Sequence, residues 1–512
     1  MFKNYLKILT SILITMGMMA CQSAPSNQKL NTSVSDPTTA KSALPNHYKE
    51  IQFPEFNYQP PNPEDYRFEI QPGVVAYLYP SKQLPMISLN MIFKEQNLPP
   101  DTLDVAALSL LSSMYISGGS TRLNPAQVDD SLEFLSANLS ASLGDHSSDI
   151  ALNVMSKDFS PMMHLLKDLV LNPGLDSARL ELRKDRYIQA IQHRYDQPKP
   201  VLDDLYTYTT YQSHPSNWKA TVAEVKAVNV SRLKKMAENR FRSDTVIIGV
   251  SGDFEQAEMV QFLKNYMGGF KRHSSDLVKK QNFPDFISQP GIYLTPKPGL
   301  TQSSIKISQP FVQRPHPDYY ATSIASYILG AGGFTSRLTS RIRSDEGLAY
   351  SVNSFASSNY YRPVTTGVQL QTKVESATRA IQLVFEEIEK MIAEGITEEE
   401  LQKAKEGLTA SLPSLFDTPE ATVSAFVLSE AWGREMDHFR TYRQKIMELK
   451  SEDVMRALKI YFNPAKMSIC LIGPEEALLK TDEKYGIQLS DFGPIKIIPE
   501  NNLVLREARK LP

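Results

Sequence analysis

Cysteine is almost missing from this chain: 512 residues contain two, Cys21 and Cys470. That scarcity excludes a disulfide framework or a metal site built on thiolates. Histidine is nearly as sparse. His47, His146, His164, His193, His214, His273, His316 and His438 include no pair spaced three or four residues apart, so no helix can present two imidazoles to one metal ion. An excess of either charge is lacking as well, with 55 lysines and arginines against 57 acidic residues. No basic tract marks a nucleic-acid surface, and no Gly-rich loop marks a phosphate site. Nor is the apolar run Ile8–Met19 long enough to span a bilayer, which needs about 20 residues.

That run does have the proportions of a secretory signal. Lys3 and Lys7 precede it and Ala20-Cys21 follows. Met18-Met19-Ala20-Cys21 looks like a loose bacterial lipobox, and Gln22 after it resembles the outer-membrane default. Residues 1–21 are therefore expected to be a signal peptide with Cys21 as the lipidation site. This places the chain on the periplasmic face of a bacterial outer membrane, attached through the lipid only. If Cys21 is incidental, the protein is free in the periplasm. Residues 22–65, rich in Ser, Pro, Asn, Thr and Gln, read as a flexible tether. Cys470 sits inside an apolar strand and reads as a buried small hydrophobe.

What is present in quantity is repetition. Asp196-Gln197-Pro198 and Asp417-Thr418-Pro419 both follow long helical stretches, and Phe241 before an apolar strand is echoed by Phe462 (417 − 196 and 462 − 241, both 221). Ser120-Thr121-Arg122-Leu123 has its counterpart in Thr335-Ser336-Arg337-Leu338. Within each half, strands such as Val74–Tyr79, Met86–Phe93 and Thr366–Gln371 alternate with helices such as Val105–Ile116 and Ser376–Glu394. Gly395 ends the last of these, and Thr397 with Glu400 forms a capping box for the next helix. The expected fold class is α+β, with layered sheets and helices in two homologous lobes. The first lobe spans 66–270 and the second 291–490, with a linker at 271–290 and a tail at 491–512.

Residues 337–352 carry the most information. Arg337–Arg343 read as a basic helical end, Gly347 as a turn, and Ala349-Tyr350-Ser351-Val352 as a strand. A guanidinium at Arg343 and a phenol at Tyr350 are thereby brought to one helix–strand corner. Ser336-Arg337-Leu338, Arg343 and Gly347-Leu348-Ala349-Tyr350 resemble the substrate-binding arginine–tyrosine segment of the pitrilysin/insulinase-like (M16) zinc peptidases. The resemblance covers roughly residues 66–490 and implies a clamshell of two M16-type lobes, each of about 220 residues. It also implies that Arg343 and Tyr350 bind substrate and stabilise the oxyanion, with Arg337 and Arg341 structural.

The family's zinc motif, His-x-x-Glu-His with a distal glutamate, is degenerate. Ser109 and Ser113 stand where the imidazoles belong, Ser112 where the base belongs, and Ala190 at the distal position. Neutral hydroxyls and a methyl group cannot hold zinc or take a proton from its water. Asp145, His146 and His193 are the residues from which a site could be rebuilt. The expectation is a chain that binds no cofactor and is inactive alone. Its predicted partner is an M16 subunit with an intact His-x-x-Glu-His that carries the zinc, both acting on an extended peptide substrate, with no nucleic acid involved. The alternatives are a catalytically dead M16-fold scaffold or binding lipoprotein, and a metalloendopeptidase with an atypical metal site. Tyr206, Tyr208, Tyr211 and Trp218 read as a helix packing face, with a peptide-binding chamber as the other possibility.

Overall fold

A computed structural model describes residues 58–94, 99–211, 214–238, 240–241, 246–270 and 288–504. The signal segment, Cys21 and most of the expected linker lie outside the described residues. Two six-stranded sheets organise the rest. The first contains β1 (Arg67–Gln71), β2 (Val74–Pro80), β3 (Met86–Lys94), β4 (Asn138–Leu143), β5 (Ser147–Met155) and β6 (Val246–Gly252), in the order β1-β2-β6-β3-β5-β4. The second contains β7 (Gly291–Pro296), β8 (Gln302–Phe311), β9 (Ala349–Ala356), β10 (Val364–Lys373), β11 (Ser468–Gly473) and β12 (Ile495–Ile497), in the order β12-β7-β11-β8-β10-β9. From the second strand onward the two orders are the same, and Gly249 and Cys470, 221 residues apart, pair with Tyr77 and Tyr293 at equivalent places. The duplication seen in the sequence is a duplicated sheet.

The far edges differ. β1 runs antiparallel to β2, whereas β12 runs parallel to β7 and comes from the opposite end of the chain. Part of the expected tail is thus strand, and Leu503 beyond it is buried. The tether ends sooner than expected too. The Tyr58 ring lies 6.5 Å from that of Phe416, and Pro63 is buried. In both places a few apolar side chains in a polar stretch suffice to dock it.

One face of each sheet is covered by helices of its own half. For the first sheet these include α1 (Thr102–Met114) and α2 (Ser177–Gln192), with Leu110, Leu111 and Met114 packed against Leu89, Met91 and Ile248. For the second they include α4 (Asp318–Ser326) and α5 (Ala377–Glu394). The opposite faces are covered by exchange. Helix α3 (Pro198–Tyr211), from the first half, lays Val201, Leu202 and Leu205 on Tyr293, Cys470 and Ile472 of the second sheet. Helix α7 (Pro419–Ala431), from the second half, lays Val423, Phe426 and Val427 on Val75, Tyr77 and Ile247 of the first. Between α5 and α7 runs α6 (Glu398–Ala410). Alternate residues of one strand therefore serve different cores: Val74 and Ala76 point one way, Val75 and Tyr77 the other. Strands enclosed on both faces need apolar side chains at every position, which accounts for the unbroken runs of β6 and β11. The two halves, expected at 66–270 and 291–490, are interlocked, each sending one helix onto the other's sheet.

Cys470 is fully buried in this arrangement, 3.3 Å from the Thr209 hydroxyl, and burial pushes its thiol up to about 11. Tyr206 also belongs to the packing: it is half-buried between the halves and hydrogen-bonded to Thr365. Among the described residues no helix is long and apolar enough to cross a membrane.

Candidate functional site

The arginine–tyrosine segment begins at a helix that widens. α4 runs into a π-helical turn, Tyr327–Ala331, and a second π-helical segment spans Thr339–Asp345. Wide turns of this kind expose side chains that a regular helix would stack, and they collect at functional sites. Ser336 and Leu338 are buried, with the Ser336 hydroxyl donating to the Gly333 carbonyl at 2.6 Å. Gly347 follows at φ +63°, where a side chain would be strained. The Leu348 N–H closes the corner on the Ile342 carbonyl at 2.9 Å, and the Thr372 hydroxyl donates to Leu348 O at 2.6 Å.

Tyr350 then sits at a break in the β9–β10 register. Ser351 faces Gln371 but Ala349 faces Thr372, leaving Tyr350 as the extra residue of a β-bulge. A bulge re-aims a side chain locally, and Tyr350 is 78% exposed. The Arg343 guanidinium carbon lies 5.8 Å from the Tyr350 ring centre and 4.7 Å from that of Phe334, itself 72% exposed. Sequence reading did not single out Phe334 as a contact residue. Gly332 and Gly333 beside it, the latter at φ +68°, are what turn it outward.

The other arginines of the segment are tied down. Arg337 forms a two-pronged pair with Glu400 at 2.7 and 2.8 Å and donates to Gly395 O at 2.9 Å. Arg341 lies 3.4 Å from Glu346, which is also 3.6 Å from Arg379. Arg343 has no hydrogen-bond or ion-pair partner among the described residues, and neither does the Tyr350 hydroxyl. Two donors thus stand side by side, unspent among the described residues, Tyr350 on the edge strand of the second sheet and Arg343 on the π-helical segment before it. Stacking of the cation on exposed rings is worth about 0.5–1 kcal/mol per contact, enough to bias the arginine's rotamer without consuming its N–H groups.

The helix expected to carry the degenerate metal motif is α1. Asp101 caps it by accepting the Asp104 N–H at 2.7 Å. Ser109, Ser112 and Ser113 line a cavity of about 530 Å³ together with Asp145 and the buried Trp218. Trp218 therefore differs from the expected helix packing face, since it forms part of this wall. Ser112 is committed locally, its oxygen accepting the Leu143 N–H at 3.0 Å, and Ser113 donates to its own helix at Leu110 O, 2.8 Å away. Ala190 stands exposed on α2 and is not part of the cavity wall. The three serines and Ala190 do not fit zinc: they offer no imidazole or carboxylate, two of the three hydroxyls are engaged, and the wall adds a single carboxylate, Asp145. His146 and His193 do not come together. His146 stacks on Tyr361 with ring centres 4.4 Å apart, while His193 pairs with Asp196 at the surface at 2.8 Å. Burial lowers the His146 imidazole and raises the Asp145 carboxyl from their ordinary values. Among the described residues, no three of His, Cys, Asp and Glu gather as a metal ion would require.

Residues 227–408 match the family model described as the peptidase M16 inactive domain. An uncharacterized zinc protease, YmxG, of Bacillus subtilis is 22% identical over 61% of this chain and 75% of its own. The non-peptidase homolog YmxG of Helicobacter pylori is 21% identical over 77% of this chain and 90% of its own. Among solved structures, the peptidase M16 inactive domain from Pseudomonas fluorescens superposes with a TM-score of 0.69 at 21% identity, covering 80% of this chain and 98% of its own. With the duplicated sheet and the Ser336–Tyr350 segment, these likenesses show a chain similar to the M16 peptidase homologues, with residues 227–408 matching that family's inactive domain.

Proposed function

We propose that this chain is the substrate-gripping, non-catalytic subunit of a two-chain M16-type peptidase. The observation that carries this reading is the pair Arg343 and Tyr350, adjacent, exposed and without hydrogen-bond or ion-pair partners among the described residues, in a segment whose other arginines are held in ion pairs. Amide hydrolysis builds negative charge on the carbonyl oxygen, and preorganised donors aimed at that charge lower the barrier. Arg343 offers N–H groups that stay protonated, and Tyr350 an O–H. The outer edge of β9 has no paired strand among the described residues, so an extended peptide can add to it backbone to backbone. α1 retains a cavity but no group able to activate water. Metal, base and attacking water belong to a partner carrying His-x-x-Glu-His.

The N-terminal segment supports placing the assembly on the periplasmic face of an outer membrane through an acylated Cys21, which the mass of the mature N-terminal peptide would check. Mixing tests the function itself. The purified chain should show no zinc-dependent peptidase activity, and adding a zinc-bearing M16 subunit should produce activity that Tyr350→Phe reduces by about 100–1,000-fold, as for loss of one oxyanion donor. Cleavage by the lone chain would refute the assignment. A second reading, an M16-fold scaffold or binding protein, is favoured by the name of the Helicobacter pylori relative. It predicts that Tyr350→Phe and Arg343→Ala leave the biological role intact.

A further inference from the structure

A second cavity, of about 520 Å³, lies in the second half and shares no residue with the Arg343–Tyr350 corner. It opens between the segment Arg314–Pro317 ahead of α4, the turn Gly433–Glu435 after α7, and α8 (His438–Met447). Its walls combine the cations Arg314, Arg434 and Lys445 and the imidazole of His438 with the rings of Tyr320 and Tyr360.

Arg314 is the anomaly. The residue is 7% exposed, its guanidinium carbon lies 3.9 Å from the Tyr319 ring centre and 5.0 Å from that of Tyr360, and its Nε is buried with no acceptor. Neither a hydrogen bond nor an ion pair to its side chain exists among the described residues. The nearby carboxylate that could neutralise it, Asp318, is taken by Arg456 at 2.6 Å and Tyr461 at 2.8 Å. Arg434 gives its Nε to the Tyr360 hydroxyl at 2.8 Å and lies over the Trp432 ring at 4.6 Å. Two carboxylates reach the rim: Glu435 pairs with Lys445 at 3.3 Å, and Glu448 accepts from the neutral Gln444 amide at 2.6 Å and keeps its charge, so three lining cations stand against two carboxylates. The field inside is positive. Burial pushes the His438 imidazole down to about 3, with Arg434, Arg314 and Lys445 adding to the shift. A buried guanidinium without a counter-charge costs several kcal/mol, and a fold retains such a group where a ligand completes it.

We propose that this cavity binds a small organic anion, whose oxyanion meets Arg314 and Arg434 and whose flat body lies against Tyr320 and Tyr360. The volume is that of a small-molecule site, larger than an inorganic ion needs. A carboxylate and a phosphate ester would be met by the same donors, and the test separates them.

Calorimetric titration of the full chain with benzoate, phenyl phosphate, inorganic phosphate and neutral benzamide, at fixed chloride, reads the site directly. Saturable one-site binding of benzoate or phenyl phosphate is expected, the stronger of the two naming the oxyanion, with benzamide silent. Arg314→Met should weaken binding by at least about tenfold, the scale of one lost charge-assisted contact. Because Arg314 is buried, Arg434→Gln and Lys445→Gln serve as variants nearer the surface, each expected to weaken binding severalfold with an unchanged melting profile. The proposal fails if no ring anion saturates below about 10 mM, a millimolar affinity being the floor for a built site. It fails equally if inorganic phosphate binds as tightly as the ring anions, or if binding survives all three substitutions.

Discussion

Gly249 in the centre of β6 faces Val423 of α7 so closely that a methyl group added at Gly249 would lie 2.5 Å from Val423 Cγ1 and 2.8 Å from Val427 Cγ2. This contact joins the two halves, because β6 belongs to the first and α7 to the second. Valine methyls have little freedom to yield, since β-branching fixes χ1 in a helix. Gly249→Ala is therefore expected to destabilise the chain by about 1–3 kcal/mol through overpacking. Val423→Ala in the same chain should recover part of that loss, although alone it removes buried surface and destabilises. Denaturant titration of the two single variants and the double variant gives the coupling, and additive losses would show that the helix does not pack there.

Glu430, at the end of the same helix, is held by the first half. Arg67 donates to it at 3.0 and 2.8 Å, and Tyr77 donates its hydroxyl from below. Burial alone would raise the carboxyl, but the bonds from Arg67 and Tyr77 outweigh it and hold it below its ordinary value. Glu430→Gln keeps the shape and removes the charge. A loss of about 1–2 kcal/mol is expected, mostly from the hydroxyl of Tyr77, which loses its charged acceptor, since Arg67 is partly solvated. Tyr77→Phe should make the further effect of Glu430→Gln smaller, and independent effects would separate the two residues.

How much of this was legible beforehand varies with the kind of signal. The duplicated unit was readable because both exchanged helices start on an Asp-x-Pro sequence, and in the second of them Thr418 caps Ala421 at 3.1 Å with proline in the first turn. Their destination was not. Periodicity tells that Val423, Phe426 and Val427 share a face, but not that the face belongs to the other half's sheet. Arg343 and Tyr350 were found from the segment around them. The bulge that turns Tyr350 outward left no trace in the sequence: that Tyr350 and Ser351 are both exposed between buried Ala349 and Val352 is visible only in the structure. The anion cavity left none either, since its walls come from three separated segments.

Acid should unfold the protein earlier than its carboxylates alone would dictate. Burial pushes His438 to about 3 and His214 to about 4, from an ordinary 6.5. His438 faces Arg434, Arg314 and Lys445, with Glu435 and Glu448 at the rim, and His214 faces Arg362 and His146. The folded values lie below the unfolded ones, so the unfolded chain takes up protons first. Stability is full above about pH 6.5 and is lost as the pH falls toward the folded values. At pH 5 each histidine accounts for about 2 kcal/mol, from roughly 1.5 units at 1.36 kcal/mol per unit. Denaturation midpoints measured from pH 7.5 to 5 should fall in the parent and fall less in His438→Gln. An equal slope in both would mean that His438 is solvated.

The last prediction separates grip from scaffold within one segment. Arg337 is largely buried and bound to Glu400 and the Gly395 carbonyl, so it fastens the start of α6 to the π-helical segment. Burial alone would raise Glu400, but the hydrogen bond from Arg337 outweighs it and holds that carboxyl below its ordinary value. Arg337→Ala should cost about 1–3 kcal/mol, as expected when a part-buried acceptor loses a charged donor. Arg343 and Tyr350 make no such bonds and are exposed, so Arg343→Ala and Tyr350→Ala should each change stability by less than about 0.5 kcal/mol. Residues held for folding behave like Arg337. Residues that leave stability untouched, yet abolish peptide capture or partner-dependent cleavage, behave as a surface kept for a ligand. Thermal melts of the three variants, run beside peptide-binding titrations, place each residue in one group or the other. A large melting shift for Arg343→Ala would move it to the structural side and remove the observation on which the gripping role rests.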